Sequence, residues 1–146
     1  KMSLGWREWV ALPDLDISRI KAKIDTGART SCLHTFRTEP YTENGERRVR
    51  FWVHPVQNDL HQVVECDARV LDERNVSDSG GHKEMRLVIE TTLLIGGQKW
   101  PIEMTLTNRD SMRFRMLLGR TAMSGRSVIY PEASYLAGKP ALRTEK

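Results

Sequence analysis

The stretch KIDTGARTSCLH, residues 23–34, decides how the chain is read. It closes a run in which Ile20, Ala22 and Ile24 alternate with Lys21 and Lys23. Alternation of this kind predicts a strand with one buried face. An acid, Asp25, comes next, followed by Thr26, Gly27 and Ala28. A carboxylate that activates water has to be fixed, half-buried and hydrogen-bonded by backbone amides. Gly27 permits a turn tight enough to aim those amides back at the acid. Thr26 brings a hydroxyl able to lock the neighbouring backbone, and the small Ala28 lets another element pack close.

One such carboxylate does not complete the chemistry. Two carboxylates about 3 Å apart share a proton, so that one serves as base towards water while the other protonates a carbonyl. Asp-Thr-Gly occurs once in the sequence. The economical arrangement is a twofold homodimer that supplies Asp25 twice at its axis. The bland alternative is an Asx turn that ends a strand and does nothing more. A second motif, Met116-Leu117-Leu118-Gly119-Arg120, is an apolar triplet closed by glycine. Leu117, Leu118 and Gly119 are expected to pass behind the aspartate loop and support it, with Gly119 allowing close backbone approach.

Working outward, period-two alternation recurs. It runs through Val49–Val53, Val64–Val70, Met85–Leu93 and Trp100–Leu106. Asn44-Gly45 and Gly96-Gly97 are hairpin signals, and Asp78-Ser79-Gly80-Gly81 forms another tip between strands. Pro101 suits an edge or a strand start. Only residues 120–124 suggest a helix, of one or two turns. The expected fold is all-β, a closed barrel with one short helix after the second motif, in a single domain covering residues 1–146. Its core spans about 7–139, and fraying is expected from Gly138 onward.

The length of 146 residues suffices to bury a core without staples. Net charge is +4, but the basic residues are scattered. The densest set, Arg47, Arg48 and Arg50, reads as a solvated strand face and not as a nucleic-acid site. No apolar run is long enough for a membrane span. A cytoplasmic setting is expected, or a periplasmic or secreted one if an export signal has been removed. Cys32 and Cys66 lack zinc-site or framework spacing and read as half-buried strand residues, with a single bridge between them left open.

The pair IDTGA and LLGR, with strands and a glycine-tipped hairpin between them, resembles the retropepsin-like aspartic proteases. More narrowly, IDTGARTSCLH together with TLTNRDSMRFRMLLGRTAM resembles a bacterial family labelled ATP-dependent zinc protease, itself described as retropepsin-like and associated with RimK-type ATP-grasp ligases. The resemblance covers about residues 9–139. It implies a homodimeric aspartic endopeptidase with Asp25 as the catalytic acid, and a flap around Ser79, Gly80 and Gly81 that closes on a peptide or protein substrate. It also implies a functional link to an ATP-grasp ligase. Activity should favour mildly acidic pH, because the shared proton is lost as the pair ionises further.

Two departures matter. Retropepsins carry an acid just after Asp-Thr-Gly-Ala that pairs with the arginine of the second motif. Here Arg29 stands in that place and Arg120 keeps the other, so the pair cannot form. Arg29 and Arg120 are therefore candidate substrate contacts, and Arg29 in the cleft would suit an acidic or glutamate-rich chain. The alternative places Arg29 in solvent. The second departure is an extra stretch, about residues 38–60.

No cofactor or metal is expected. His34, His54, His61 and His82 lack the His-Glu-x-x-His spacing of a zinc protease, and no phosphate-binding glycine loop announces ATP. Cys32 and His34 are expected on opposite faces of a strand and to make a poor nucleophile–base pair. Two other functions stay open: a non-catalytic peptide-binding or accessory module on the same fold, favoured by Arg29, and a metal-dependent hydrolase.

Overall fold

The computed structural model describes residues 1–77, 80–110 and 113–140. The strands are β1 (Met2–Leu4), β2 (Arg7–Leu12), β3 (Ile17–Ile24), β4 (Ser31–His34), β5 (Arg37–Glu43), β6 (Glu46–Val53), β7 (Val64–Ser77), β8 (Lys83–Ile95), β9 (Gln98–Thr107), β10 (Met116–Leu118) and β11 (Ser127–Ile129). A 3-10 turn, Pro13–Leu15, precedes β3, and one short helix, α1 (Arg120–Met123), follows β10. The architecture is the expected all-β, retropepsin-like one.

Six strands close a ring in the order β2-β3-β10-β4-β9-β8, with β8 returning to β2 through Ala11 and Leu94. Closure depends on the length of β8. Its first half pairs with β7, from Lys83 opposite Ser77 to Ile89 opposite Val70. Beyond that point β7 has diverged, which leaves the edge of β8 for β2. Ring closure removes the exposed edges an open sheet would leave. The ring is filled by Val10, Ile20, Ala22, Leu33, Ile89, Leu93, Met104, Met116 and Leu118, all fully buried.

The stretch at 38–60 has a plain structural meaning. It builds the β5–β6 hairpin, which extends the sheet outward from β7 in the order β7-β6-β5. Asn44 and Gly45 turn that hairpin with φ of 52° and 77°, the left-handed pair that a two-residue turn needs. Gly96 and Gly97 do the same between β8 and β9, at 58° and 78°. Pro101 lies opposite Thr92 in β9. The amide of Thr92 points away from β9 to the carboxylate of Asp14, at 3.1 Å. That register position asks no ladder bond of its partner, so the missing amide of Pro101 costs nothing there.

Ordered structure reaches beyond residues 7–139 at both ends. At the start, β1 pairs in parallel with β11. Towards the end, the buried carboxylate of Glu8 accepts the amides of Gly5 (2.6 Å), Leu136 (3.0 Å) and Ala137 (3.0 Å). A buried acid held by three amides is stable only because its lone pairs are filled. Lys139 lies over the ring of Trp9, and Pro140 is buried. Packing thus continues through the stretch from Gly138 to Pro140; residues 141–146 fall outside the described ones.

Candidate active site

The two motifs meet as the sequence requires. β10 lies parallel to β3, with Leu117 beside Lys23 and Leu118 beside Ile24, and antiparallel to β4. β3 ends at Ile24, and the amide of Asp25 then donates to the carbonyl of Leu118 at 2.9 Å. That bond sets where the acid leaves the sheet. The Gly27 amide donates to Oδ1 of Asp25 at 3.0 Å, and the Ala28 amide to its backbone carbonyl at 3.2 Å. Asp25 is half-buried.

Gly119 is the point of closest approach. A Cβ there would lie 2.6 Å from the carbonyl carbon of Thr30 and 2.9 Å from the amide nitrogen of Ser31. The Gly119 amide donates to the buried Ser31 hydroxyl at 3.0 Å. Beyond it, the amides of Arg120 and Thr121 donate to the carbonyls of Ala28 and Arg29, at 2.8 and 3.0 Å. The second motif therefore grips the aspartate loop from Asp25 to Arg29 through its backbone. Arg120 resolves the missing ion pair in its own way: Nη1 donates to the carbonyl of Thr26 at 3.0 Å. The backbone carbonyl of Thr26 thus accepts from the guanidinium that a carboxylate would meet in the retropepsin pattern. α1 is pinned in turn by Trp100, whose indole donates to the carbonyl of Ala122 at 3.1 Å.

A cleft of about 740 Å³ opens over Asp25. Gly27, Ala28, Arg29 and Leu117 line it from below, and Arg74–Ser77 of the β7–β8 hairpin line it from above. Arg29 is exposed and borders the cleft, so the two positions weighed for it are both partly realised. Thr26, Leu118, Gly119 and Arg120 support the loop without lining the cleft. Gly80 and Gly81 are exposed at the hairpin tip, Gly81 with φ of 84°. Ser79 lies outside the described residues.

The cleft also contains residues that the sequence reading missed. Arg74, Arg86 and Arg109 join Arg29 on its walls, and among the described residues Asp25 is the only carboxylate that lines it. Arg74 and Arg86 stand directly opposite each other across β7 and β8. Like charges so placed repel. Acids beside them offset this: Arg74 meets Asp72 and Glu103, at 3.1 and 3.0 Å, and Arg86 meets Glu84 at 3.1 Å. For Arg74 and Arg86 the signal that could have found them is cross-strand register, which depends on the irregularity in β7 between Val70 and Asp72; Arg109 lies in the loop after β9.

Cys32 and His34 correct an expectation. They do not point apart: two positions apart on β4, they share a face and both line the cleft. They are nonetheless poorly suited to nucleophilic chemistry. Burial raises the pKa of Cys32 above its ordinary value, so the thiol stays protonated. Burial, and then the cations of Arg109 and Arg86, bring His34 down to about 4. Its Nδ1 is buried without a hydrogen-bond partner. Cys66 lies elsewhere in the core, and both cysteines are free, so no bridge joins them. Among the described residues, no three His, Cys, Asp or Glu side chains gather to hold a metal ion, and no helix is long and apolar enough to cross a membrane.

The family model described as RimB-like, retropepsin-like aspartic endopeptidase RimB, matches residues 3–140. The chain belongs to this RimB-like family. Among curated relatives, a protein of Shewanella pealeana named probable alpha-L-glutamate ligase is 44% identical over 139 residues, 95% of this chain and 30% of that protein. One of Parasynechococcus marenigrum with the same name is 46% identical over 138 residues, 94% of this chain and 30% of its own length. The chain thus spans less than a third of the curated relatives it matches. The solved structure of a Legionella pneumophila protein of unknown function superposes with a TM-score of 0.78 at 22% identity, covering 94% of this chain and 98% of that one. That likeness is one of fold.

Proposed function

We propose that this RimB-like chain is an aspartic endopeptidase that works as a homodimer on acidic, glutamate-rich peptides. The observation that carries the reading is Asp25 itself: an acid at a strand end, oriented by the Gly27 amide and seated on the floor of a cleft roofed by a hairpin. In the dimer, the ionised member of the Asp25 pair takes a proton from water as its oxygen attacks the peptide carbonyl. The protonated member gives its proton to the carbonyl oxygen, and a tetrahedral diol forms. Its collapse breaks the C–N bond as the nitrogen takes the proton the base had drawn from water, while a diol hydroxyl returns its proton to the other carboxylate, so that a carbonyl re-forms and the pair regains its single shared proton. The β7–β8 hairpin would exclude water from this step.

The preference for acidic chains rests on the four arginines. Four guanidinium groups on the cleft's walls, against Asp25 alone among the described carboxylates there, favour an anionic chain. The relatives' name, probable alpha-L-glutamate ligase, agrees with glutamate chemistry, and a working link to such a ligase, of the ATP-grasp kind, would pair the making of a bond with its cutting. The test is cleavage of a peptide library by wild type, Asp25→Asn and Arg29→Ala, each with and without a chelator. The reading expects cleavage beside glutamates, loss of at least about 10³-fold in rate for Asp25→Asn, a shift away from acidic peptides for Arg29→Ala, and no effect of the chelator. Glutamate-peptide binding with no cleavage in any arm would favour the non-catalytic binding module, and inhibition by the chelator would favour a metal-dependent hydrolase.

A further inference from the structure

A second cavity, of about 520 Å³, lies away from the cleft, between the outer face of β2–β3 and the loop that follows β6. Trp9, Arg19, Lys21 and Gln57 are among its lining residues. The ring of Trp9 has three cations around it: Lys21 at 5.2 Å, Lys139 at 5.5 Å and Arg19 at 5.8 Å. Tyr135 stacks against the same ring at 5.9 Å. Lys21 is steadied by Gln57, at 3.0 Å. The Nε of Arg19 is buried and has no hydrogen-bond partner. Among the described residues, no carboxylate pairs with Arg19, Lys21, Lys23 or Lys139, whereas Arg48, Arg50 and Arg74 each have acids beside them. A donor desolvated and left unfilled is costly, and it marks a place where an acceptor belongs.

The cations also form a row. Along β3, Ile20, Ala22 and Ile24 are buried, and Arg19, Lys21 and Lys23 occupy the other face, with Asp25 next in the same phase. Leu117 stands beside Lys23 in register and lines the catalytic cleft, so the row reaches the cleft's rim. Strand geometry spaces these cations at roughly 6.7 Å, the repeat at which an extended peptide presents alternate side chains on one side.

We infer that Arg19, Lys21 and Lys23, together with the cavity beside Trp9, form an exosite that binds alternate carboxylates, those on one side of an extended acidic peptide whose other part occupies the cleft over Asp25. The inference rests on the acidic-peptide reading of that cleft. Arg19 lies about six residues, roughly 20 Å, from Asp25 along the strand, so only a chain longer than the cleft itself gains from the row. Among the described residues, Asp16 is the one carboxylate that lines the cavity. It disfavours a ligand charge in its own corner and leaves the Trp9 side as the place for one.

The test uses binding by the Asp25→Asn protein, so that no probe is consumed. Fluorescence anisotropy is measured with oligoglutamates of about four and about ten residues, on the intact face, on Arg19→Gln/Lys21→Gln and on Lys23→Gln. On the intact face, the long probe should bind about tenfold more tightly than the short one. The double variant should lose that advantage while short-probe affinity stays the same, and Lys23→Gln should lose part of it. A length advantage unchanged in both variants overturns the exosite and leaves the cleft reading standing. No binding of either probe overturns the acidic-peptide reading and the exosite with it.

Discussion

At the scale of single residues, the cleft sets charge against burial. His34 is the clearest case. Its folded value of about 4 lies below the ordinary 6.5, because burial and the neighbouring arginines disfavour the imidazolium. As pH falls, the unfolded chain therefore takes up this proton first. The stability His34 contributes is complete above about pH 6.5 and is lost between there and pH 4, a difference of up to about 3 kcal/mol. The variant His34→Gln removes the titration. Urea midpoints at about pH 7 and about pH 4.5 should fall further apart in the wild type than in the variant, and equal falls would show that His34 does not carry this acid sensitivity. The sequence displayed Asp25 clearly, since its strand, its turn glycine and its small neighbour are contiguous. It hid Arg74, Arg86 and Arg109, because nothing local marks which cation on a long hairpin, or in the loop after β9, faces a cleft.

At the scale of elements, the decisive contact is the crossing of β10 over the aspartate loop. Gly119→Ala would press a methyl group into the backbone of Thr30 and Ser31, at 2.6 and 2.9 Å. Neither is the flexible end of a side chain, so the loop bearing Asp25 must move. The variant should lose about 2–3 kcal/mol of stability by chemical denaturation, and more of its activity than its folded fraction explains. Stability within about 0.5 kcal/mol of wild type would contradict the close-packed role of Gly119. The longer strands were legible for a simple reason: β3, β6, β7, β8 and β9 each have a dry face and a wet one. β4 was not, because all four of its positions are buried and leave no alternation. β1, β10 and β11 have three residues each and gain their meaning from parallel partners far along the chain. The extra stretch was visible as an excess of length, but its place as an edge hairpin follows from pairing with β7, a non-local fact.

At the scale of the whole molecule, the ring of six strands gives a rigid base, and the β7–β8 hairpin rises from it over the acid. The chain holds one Asp-Thr-Gly, so the proposed chemistry needs a second copy. This makes subunit mixing the most direct measurement. Wild type and Asp25→Asn are co-refolded at increasing proportions of the variant, with total protein constant, and cleavage of an acidic peptide is followed. If the reacting pair is shared across a twofold axis, activity falls as the square of the wild-type fraction, because only dimers with two intact acids react. Activity that instead falls in simple proportion to the wild-type fraction would mean that each chain works alone, and the account of Asp25 as half of a shared pair would be wrong.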